Sequence, residues 1–331
     1  MMARTPDFLN CAISGWAGSA EYFSANRSNS KDNVLSYHEY IRENDLTLTH
    51  TLVNLQRSRN PSVLDNLEDQ VALTVVKETD AGIIVHGSRI LATLGPISDE
   101  IAVYPTRTHL LGDEAKKQAF SFAIPCDTPG MKFICRESLD IGRSNFDHPL
   151  GSRFEEMDCI VFFDNVFVPW ERVFLLGDVG LCNNFAAATQ STSHTGHQVV
   201  NRTVVKTEFL LGLTSLMAET LGSTQVPHVQ ERIGEIVVNL EMLKACVRAA
   251  EVDASLNEWG VMCPAFGPLT AARAMFAGTM YPRMAEIVQL LGSSSLMGLP
   301  TESDFAAKIS SELEKYLATD STGARARVRL F

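Results

Sequence analysis

One stretch, LTLTHTLVNLQRSRN at residues 46–60, concentrates groups able to bind or move charge. Its first half alternates as a strand does, so residues two apart share a face. Leu46, Leu48, His50, Leu52 and Asn54 fall on one face, which sets an imidazole among leucines. A histidine so placed is either a core residue satisfied by a backbone carbonyl or a proton-handling group in a dry pocket. Four donors follow in a row: Gln56, Arg57, Ser58 and Arg59. Arginine presents a planar fork suited to phosphate or to the carbonyl edge of a heterocycle, and an exposed basic loop would read the same way. The other candidates are weaker. His194 and His197 lie three apart with no carboxylate or cysteine close in sequence, so they read as surface or capping residues and no metal site is expected. Neither H-E-x-x-H nor G-x-S-x-G occurs. Seven scattered cysteines without C-x-x-C spacing read as reduced thiols of a cytoplasmic protein.

Three regions must position these groups. Residues 1–45 carry few strand signals, and 32–43 reads as helix. Residues 46–180 are β in pattern. Short apolar runs at 71–76 and 83–85 flank the turn-like Lys77 to Gly82, and His86-Gly87 reads as a second turn before 89–93. Further strands are expected at 119–124, 132–135 and 158–168, the last closed by Pro169. Residues 190–331 are helical. Ile233, Ile236, Val237, Leu240, Leu243 and Val247 recur at three and four residues, one apolar face of a helix. Gly292-Ser293-Ser294-Ser295 lacks the lysine of a P-loop and reads as a helix end. The order is α+β rather than alternating βαβ, and no G-x-G-x-x-G follows a strand. With 331 residues, 45% of them hydrophobic, the chain can fill a large core. A net charge of -11 argues against nucleic acid or an anionic membrane as partner. No apolar run reaches the ~18 residues needed to span a bilayer.

Several stretches together resemble the oxygenase component of the two-component, FAD-dependent 4-hydroxyphenylacetate 3-monooxygenase family. They are 3–8 (ARTPDF), 49–59, 77–85 (KETDAGIIV), 91–93, 149–154 (PLGSRF), 164–170 (DNVFVPW) and 295–300 (SLMGLP), in the family's order along nearly the whole chain. The resemblance implies an acyl-CoA-dehydrogenase-like fold: N-terminal helices, a middle antiparallel β-barrel and a C-terminal helical bundle, assembled as a homotetramer. It also implies an FADH2-utilising monooxygenase. A separate flavin reductase supplies reduced FAD, O₂ gives a C4a-hydroperoxyflavin, and the distal oxygen goes to the carbon ortho to a phenolic hydroxyl.

The resemblance assigns roles residue by residue. Arg4 and His50 are the expected catalytic groups: Arg4 as a fixed cation for developing charge on the phenolic oxygen, His50 as its hydrogen-bond partner or proton relay. Arg4, Phe8, His50, Pro105 and Thr106 would contact substrate, and His50, Gln56, Arg57, Ser58, Arg59 and Thr93 would contact FAD. Phe8 stands where the family usually has tyrosine, which removes a hydroxyl and leaves the identity of the phenol open. By the same resemblance the chain is shortened at both ends, with Arg4 almost at the start and 326–331 in mid-helix. Two other readings stay open: a shortened non-catalytic subunit for flavin binding or assembly, and an acyl-CoA-dehydrogenase-type flavoprotein, which would need a carboxylate over the flavin.

Overall fold

The structure, a computed structural model, describes residues 7–55, 71–106, 112, 114–142 and 144–331. Three helices come first: α1 (Asp7–Gly18), α2 (Ala20–Ser24) and α3 (Ser30–Glu43). Nine strands follow: β1 (Leu48–Thr51), β2 (Val53–Asn54), β3 (Thr74–Glu78), β4 (Gly82–Thr93), β5 (Glu100–Val103), β6 (Phe120–Pro125), β7 (Met131–Cys135), β8 (Asp158–Pro169) and β9 (Val173–Leu176). The helices α4 (Val179–Thr189), α5 (Ser191–Thr220) and α6 (Pro227–Val252) come next. A small ribbon, β10 (Ser255–Leu256) with β11 (Met262–Cys263), leads to α7 (Phe266–Met275), α8 (Tyr281–Met297), α9 (Ser310–Leu317) and α10 (Ala324–Leu330). This is the expected α+β order.

The strands form two larger sheets. One runs β1-β5-β6-β9, and the other β2-β4-β8-β7 with β3 added on β4. Their facing sides share one apolar core that includes Val85, Ile101, Phe120, Phe122, Val161 and Phe163. The barrel expectation needs amending in two details. Among the described residues the ladders do not close into a ring. One pair, β1 with β5, is parallel. That pairing puts His50 opposite Ala102.

The sequence pattern misplaced one turn. β4 runs unbroken through His86-Gly87 and pairs along its length with β8, with a register shift between Val85 and Gly87. Gly87 adopts φ +129°, and a Cβ there would lie 2.3 Å from the Ala72 carbonyl oxygen. The glycine thus serves a bulge and a close backbone approach, a use of glycine that local sequence does not separate from a turn.

α1 covers the outer side of the first sheet. Leu9, Ile13 and Trp16 recur at four and three residues and are buried with Phe174, Leu175 and Phe185 of β9 and α4. Trp16 is fully buried, and the rings of Tyr104 and Phe185 meet it edge-on at 4.7 and 5.1 Å. β1, pressed between this layer and the second sheet, is buried at all four positions.

The helical region has its own core, with Ile236 and Leu243 of α6 meeting Met284 and Ile287 of α8. The expected α6 stripe holds at Ile236, Leu240 and Leu243, while Val237 is exposed. A π turn, Phe276–Met280, lies between α7 and α8. At Gly292-Ser293 a helical stretch breaks as expected: Ser293 leaves helical geometry at φ 44°, and a second stretch continues beyond this kink within α8.

Candidate active site

His50 sits in the middle of β1, 6% exposed. Two rings flank it, each with its centroid 5.4 Å away: Phe8 from the first turn of α1, tilted by 42°, and Tyr104 just past β5, edge-on at 86°. The parallel ladder explains how Tyr104 arrives there, since its N–H donates to the Thr51 carbonyl at 3.0 Å. Pro105 and Thr106 continue from it and are buried. Phe8, His50, Pro105 and Thr106, expected from the sequence to share a substrate pocket, are carried on α1, β1 and the segment after β5.

Tyr104 is the residue that sequence reasoning missed. It stands one position before Pro105 in the chain, and it reaches His50 through the parallel pairing of β1 with β5, two residues beyond Ala102, the partner of His50. Its edge also touches Trp16, so this wall of the pocket is continuous with the aromatic core under α1.

Thr93 lies at the end of β4. Its carbonyl accepts from Thr49 Oγ1 at 2.6 Å, and its own Oγ1 donates to Asp158 Oδ1 at 2.7 Å. Thr93 is thereby tied to the residue next to His50 and to β8. Arg4, Gln56, Arg57, Ser58 and Arg59 lie outside the described residues. Asp7, the first residue of α1, accepts from Gln198 Nε2 of α5 at 3.3 Å and so links the pocket helix to the helical region.

Beside Asn54, the last residue of β2, lies an unexpected cation. Arg89 pairs in register with Asn54 and with Val161, which turns its side chain into the core between the sheets. The guanidinium is fully buried, 5.5 Å from the Phe120 ring centroid, and none of its three nitrogens has a hydrogen-bond partner among the described residues. Burial pushes it down to about 9, which leaves it protonated at neutral pH. Asn54 donates to Gln118 Oε1 at 3.2 Å, while its own Oδ1 is buried with no partner among the described residues. A buried charge left in this state is costly unless an anion or dipole meets it. These orphaned groups stand where the chain leaves β2 for the expected FAD-contacting turn, and they suit an anionic, carbonyl-rich cofactor.

The two spaced histidines make separate contacts. His197 Nε2 meets Glu251 Oε1 at 2.8 Å, and His194 Nε2 meets Cys263 Sγ at 3.5 Å. Burial and the neighbouring His197 hold His194 below the usual imidazole range. Among the described residues no group of three or more His, Cys, Asp or Glu is placed to hold a metal ion. No described helix is long and apolar enough to cross a membrane.

A cavity of about 650 Å³ opens between the loop at 146–151, α5 and the end of α10. Pro149, Leu150, Leu299 and Pro300 line it. Two of the stretches that carried the resemblance therefore converge there, although neither had been given a role.

Helices packed over paired sheets, with a helical region behind, are the architecture of flavin-dependent oxygenase components. The crystal structure of such a component, HpaB of 4-hydroxyphenylacetate 3-monooxygenase, complexed with FAD and 4-hydroxyphenylacetate, superposes with a TM-score of 0.92 at 45% identity. It covers 99% of this chain and 67% of that one. Family models described as the N-terminal and C-terminal parts of 4-hydroxyphenylacetate 3-hydroxylase match residues 1–175 and 182–331. This chain belongs to the 4-hydroxyphenylacetate 3-hydroxylase family, whose members are flavin-dependent aromatic hydroxylases. The oxygenase component from Thermus thermophilus is 45% identical over all of this chain and 67% of its own length. The one from Geobacillus sp. is 45% identical over 92% of this chain and 62% of its own. The chain thus spans about two thirds of the length of these curated relatives.

Proposed function

We propose that this chain is an oxygenase component that hydroxylates a phenol ortho to its hydroxyl, using O₂ and reduced FAD delivered by a separate flavin reductase. The observation that carries the reading is His50, buried on β1 between the rings of Phe8 and Tyr104. Reduced FAD, when bound, supplies with O₂ an electrophilic oxygen; the protein must present an electron-rich ring to it and keep water away.

Phenols ionise near ~10, so an unassisted ring is a poor donor at neutral pH. His50 hydrogen-bonds the phenolic oxygen or takes its proton, and Arg4 holds the resulting charge. Phe8, Tyr104 and the Trp16 cluster give the site an apolar wall, which strengthens both interactions by excluding water. Phe8 offers no hydroxyl to the substrate, so the natural phenol need not be 4-hydroxyphenylacetate.

Gln56, Arg57, Ser58, Arg59, Thr93 and His50 hold the FAD in this reading, with the buried Arg89 charge close to the same end of β2. Residues 1–45 close the pocket, 46–180 carry the cofactor side, and 190–331 support assembly. A cytoplasmic homotetramer fits the apolar side chains that the helical region exposes, among them Val238 and Leu290.

The test is anaerobic titration of the purified chain with reduced FAD, followed by aerated buffer, a panel of phenols and detection of catechols. Tight binding and ortho-hydroxylation of at least one phenol are expected. His50→Ala should lower the hydroxylation rate by about 10²–10⁴-fold, while FAD still binds, more weakly, through its other contacts. No binding of reduced FAD, or full activity in His50→Ala, would overturn the proposal.

A further inference from the structure

Two of the seven thiols face each other. Cys135 at the end of β7 and Cys159 near the start of β8 are direct partners in the antiparallel ladder, and their Sγ atoms lie 3.5 Å apart. The Arg136 N–H donates to the Asp158 carbonyl at 3.1 Å, so the adjoining pair is the hydrogen-bonded one. Cys135 and Cys159 then form a non-hydrogen-bonded pair, whose Cα atoms approach to about 4.5 Å. A disulfide spans that separation.

The two thiols differ in access and in connection. Cys135 is exposed, while Cys159 is buried. On its other side Cys159 pairs with Ala92, and Asp158 pairs with Thr93, whose hydroxyl it accepts. The thiol pair therefore abuts the strand edge proposed to touch FAD.

We propose that Cys135 and Cys159 are a peroxide-sensitive dithiol whose closure to a disulfide weakens FAD binding by shifting the Thr93–Asp158 edge. The exposed Cys135 reacts first. Its sulfur attacks one oxygen of hydrogen peroxide; an S–O bond forms, the O–O bond breaks, and the departing hydroxide takes a proton to become water. Cys159 sulfur then attacks Cys135 sulfur; the S–S bond forms, the S–O bond breaks, and the hydroxide leaves as water with the Cys159 proton. Two electrons pass from the thiol pair to one peroxide, and two waters result. Burial, with Cys135 alongside, pushes the Cys159 thiol up and keeps it protonated until its partner is oxidised. Reduced flavin that meets O₂ without a phenol yields hydrogen peroxide, so the oxidant arises at this protein's own site; that source rests on the proposed function, whereas the chemistry of the pair does not.

The experiment treats the purified chain with hydrogen peroxide. Mass spectrometry under non-reducing conditions then maps the thiols, and FAD affinity is measured before oxidation, after it, and after dithiothreitol. A cross-link between the peptides containing Cys135 and Cys159, reversed by dithiothreitol and absent from Cys135→Ser, is expected. Loss of about one hydrogen bond's worth of FAD affinity, roughly threefold to tenfold, should accompany it, and Cys135→Ser should resist that loss. Overoxidation of Cys135 without a cross-link would overturn the proposal, and a complete cross-link with unchanged affinity would overturn the coupling to Thr93. An untreated chain that binds no FAD would overturn the proposed function and the coupling together, while the cross-link would still stand or fall on its mass.

Discussion

The layer under α1 and the helical region are built on different cores, aromatic rings in one and mostly aliphatic side chains in the other. Under α1 the rings of Trp16, Phe23 and Phe174 are all fully buried, and Trp16 meets Phe23, Phe174, Tyr104 and Phe185 at 4.7 to 6.3 Å. In the helical region Ile236, Leu243, Met284 and Ile287 are equally buried, yet Val238 is 58% exposed and Val252 74%. The first region spends its aromatic residues on a closed wall behind His50. The second keeps a narrow seam and turns apolar side chains outward. The dry pocket proposed at His50 needs the first kind of packing; the assembly role proposed for the helical region needs only the second.

The comparison is open to direct attack. Trp16→Ala should have the largest effect, about 3–5 kcal/mol of stability, because a large ring leaves a cavity among rigid neighbours. Thermal or urea unfolding measures it, and a loss below about 1 kcal/mol would show that the wall relaxes easily. Ile287→Ala should cost about 2–4 kcal/mol, the lower part of the range for buried aliphatic truncation, since half-exposed helices can shift inward. An equal or larger loss than for Trp16→Ala would erase the contrast between the regions.

Glu155 asks whether charge can fasten a segment that neither core covers. Partial burial raises this carboxyl, but hydrogen bonds from Ser138, the Leu139 N–H and Arg136 outweigh it and hold the group at about 2. A carboxyl depressed in the folded state stabilises above its unfolded value, and the contribution disappears as pH falls from about 4.5 through 2. Glu155→Gln should therefore lower the melting temperature at pH 7 by a few degrees, equivalent to about 1 kcal/mol. It should also flatten the acid limb of the stability curve; an unchanged limb would count against the network. Val238→Ser should change stability by less than about 0.5 kcal/mol. A larger loss, growing with protein concentration, would mean that this face is already covered by a second copy.

Much of this was legible beforehand. The alternation of 46–54 announced a strand with His50 inward, and Pro169 marks the end of β8 as expected. What escaped was set by distant partners. Gly87 looks like a turn until Ala72 is seen against it. Val237 fits the α6 stripe by spacing, yet the facing helices cover a band narrower than the stripe. The parallel pairing of β1 with β5 brings Tyr104 to His50, and no local signal encodes a strand's direction relative to another. Arg89 lies beside the apolar run Ile90-Leu91-Ala92 of β4, and its burial depends on the facing sheet, which brings Phe120 of β6 over it.

The passage of one chain segment through both sheets has a further consequence. β1 and β2 are nearly continuous, and His50 and Asn54 stand on them four residues apart. An extended chain covers about 13 Å over that interval, so under the proposed function the segment acts as a ruler between the phenol side and the flavin side. On that proposal, a change at position 8, where α1 sets a ring against His50, alters what is accepted without moving the scale. Substrate preference can drift along one end of the ruler while the distance to the oxidant stays fixed.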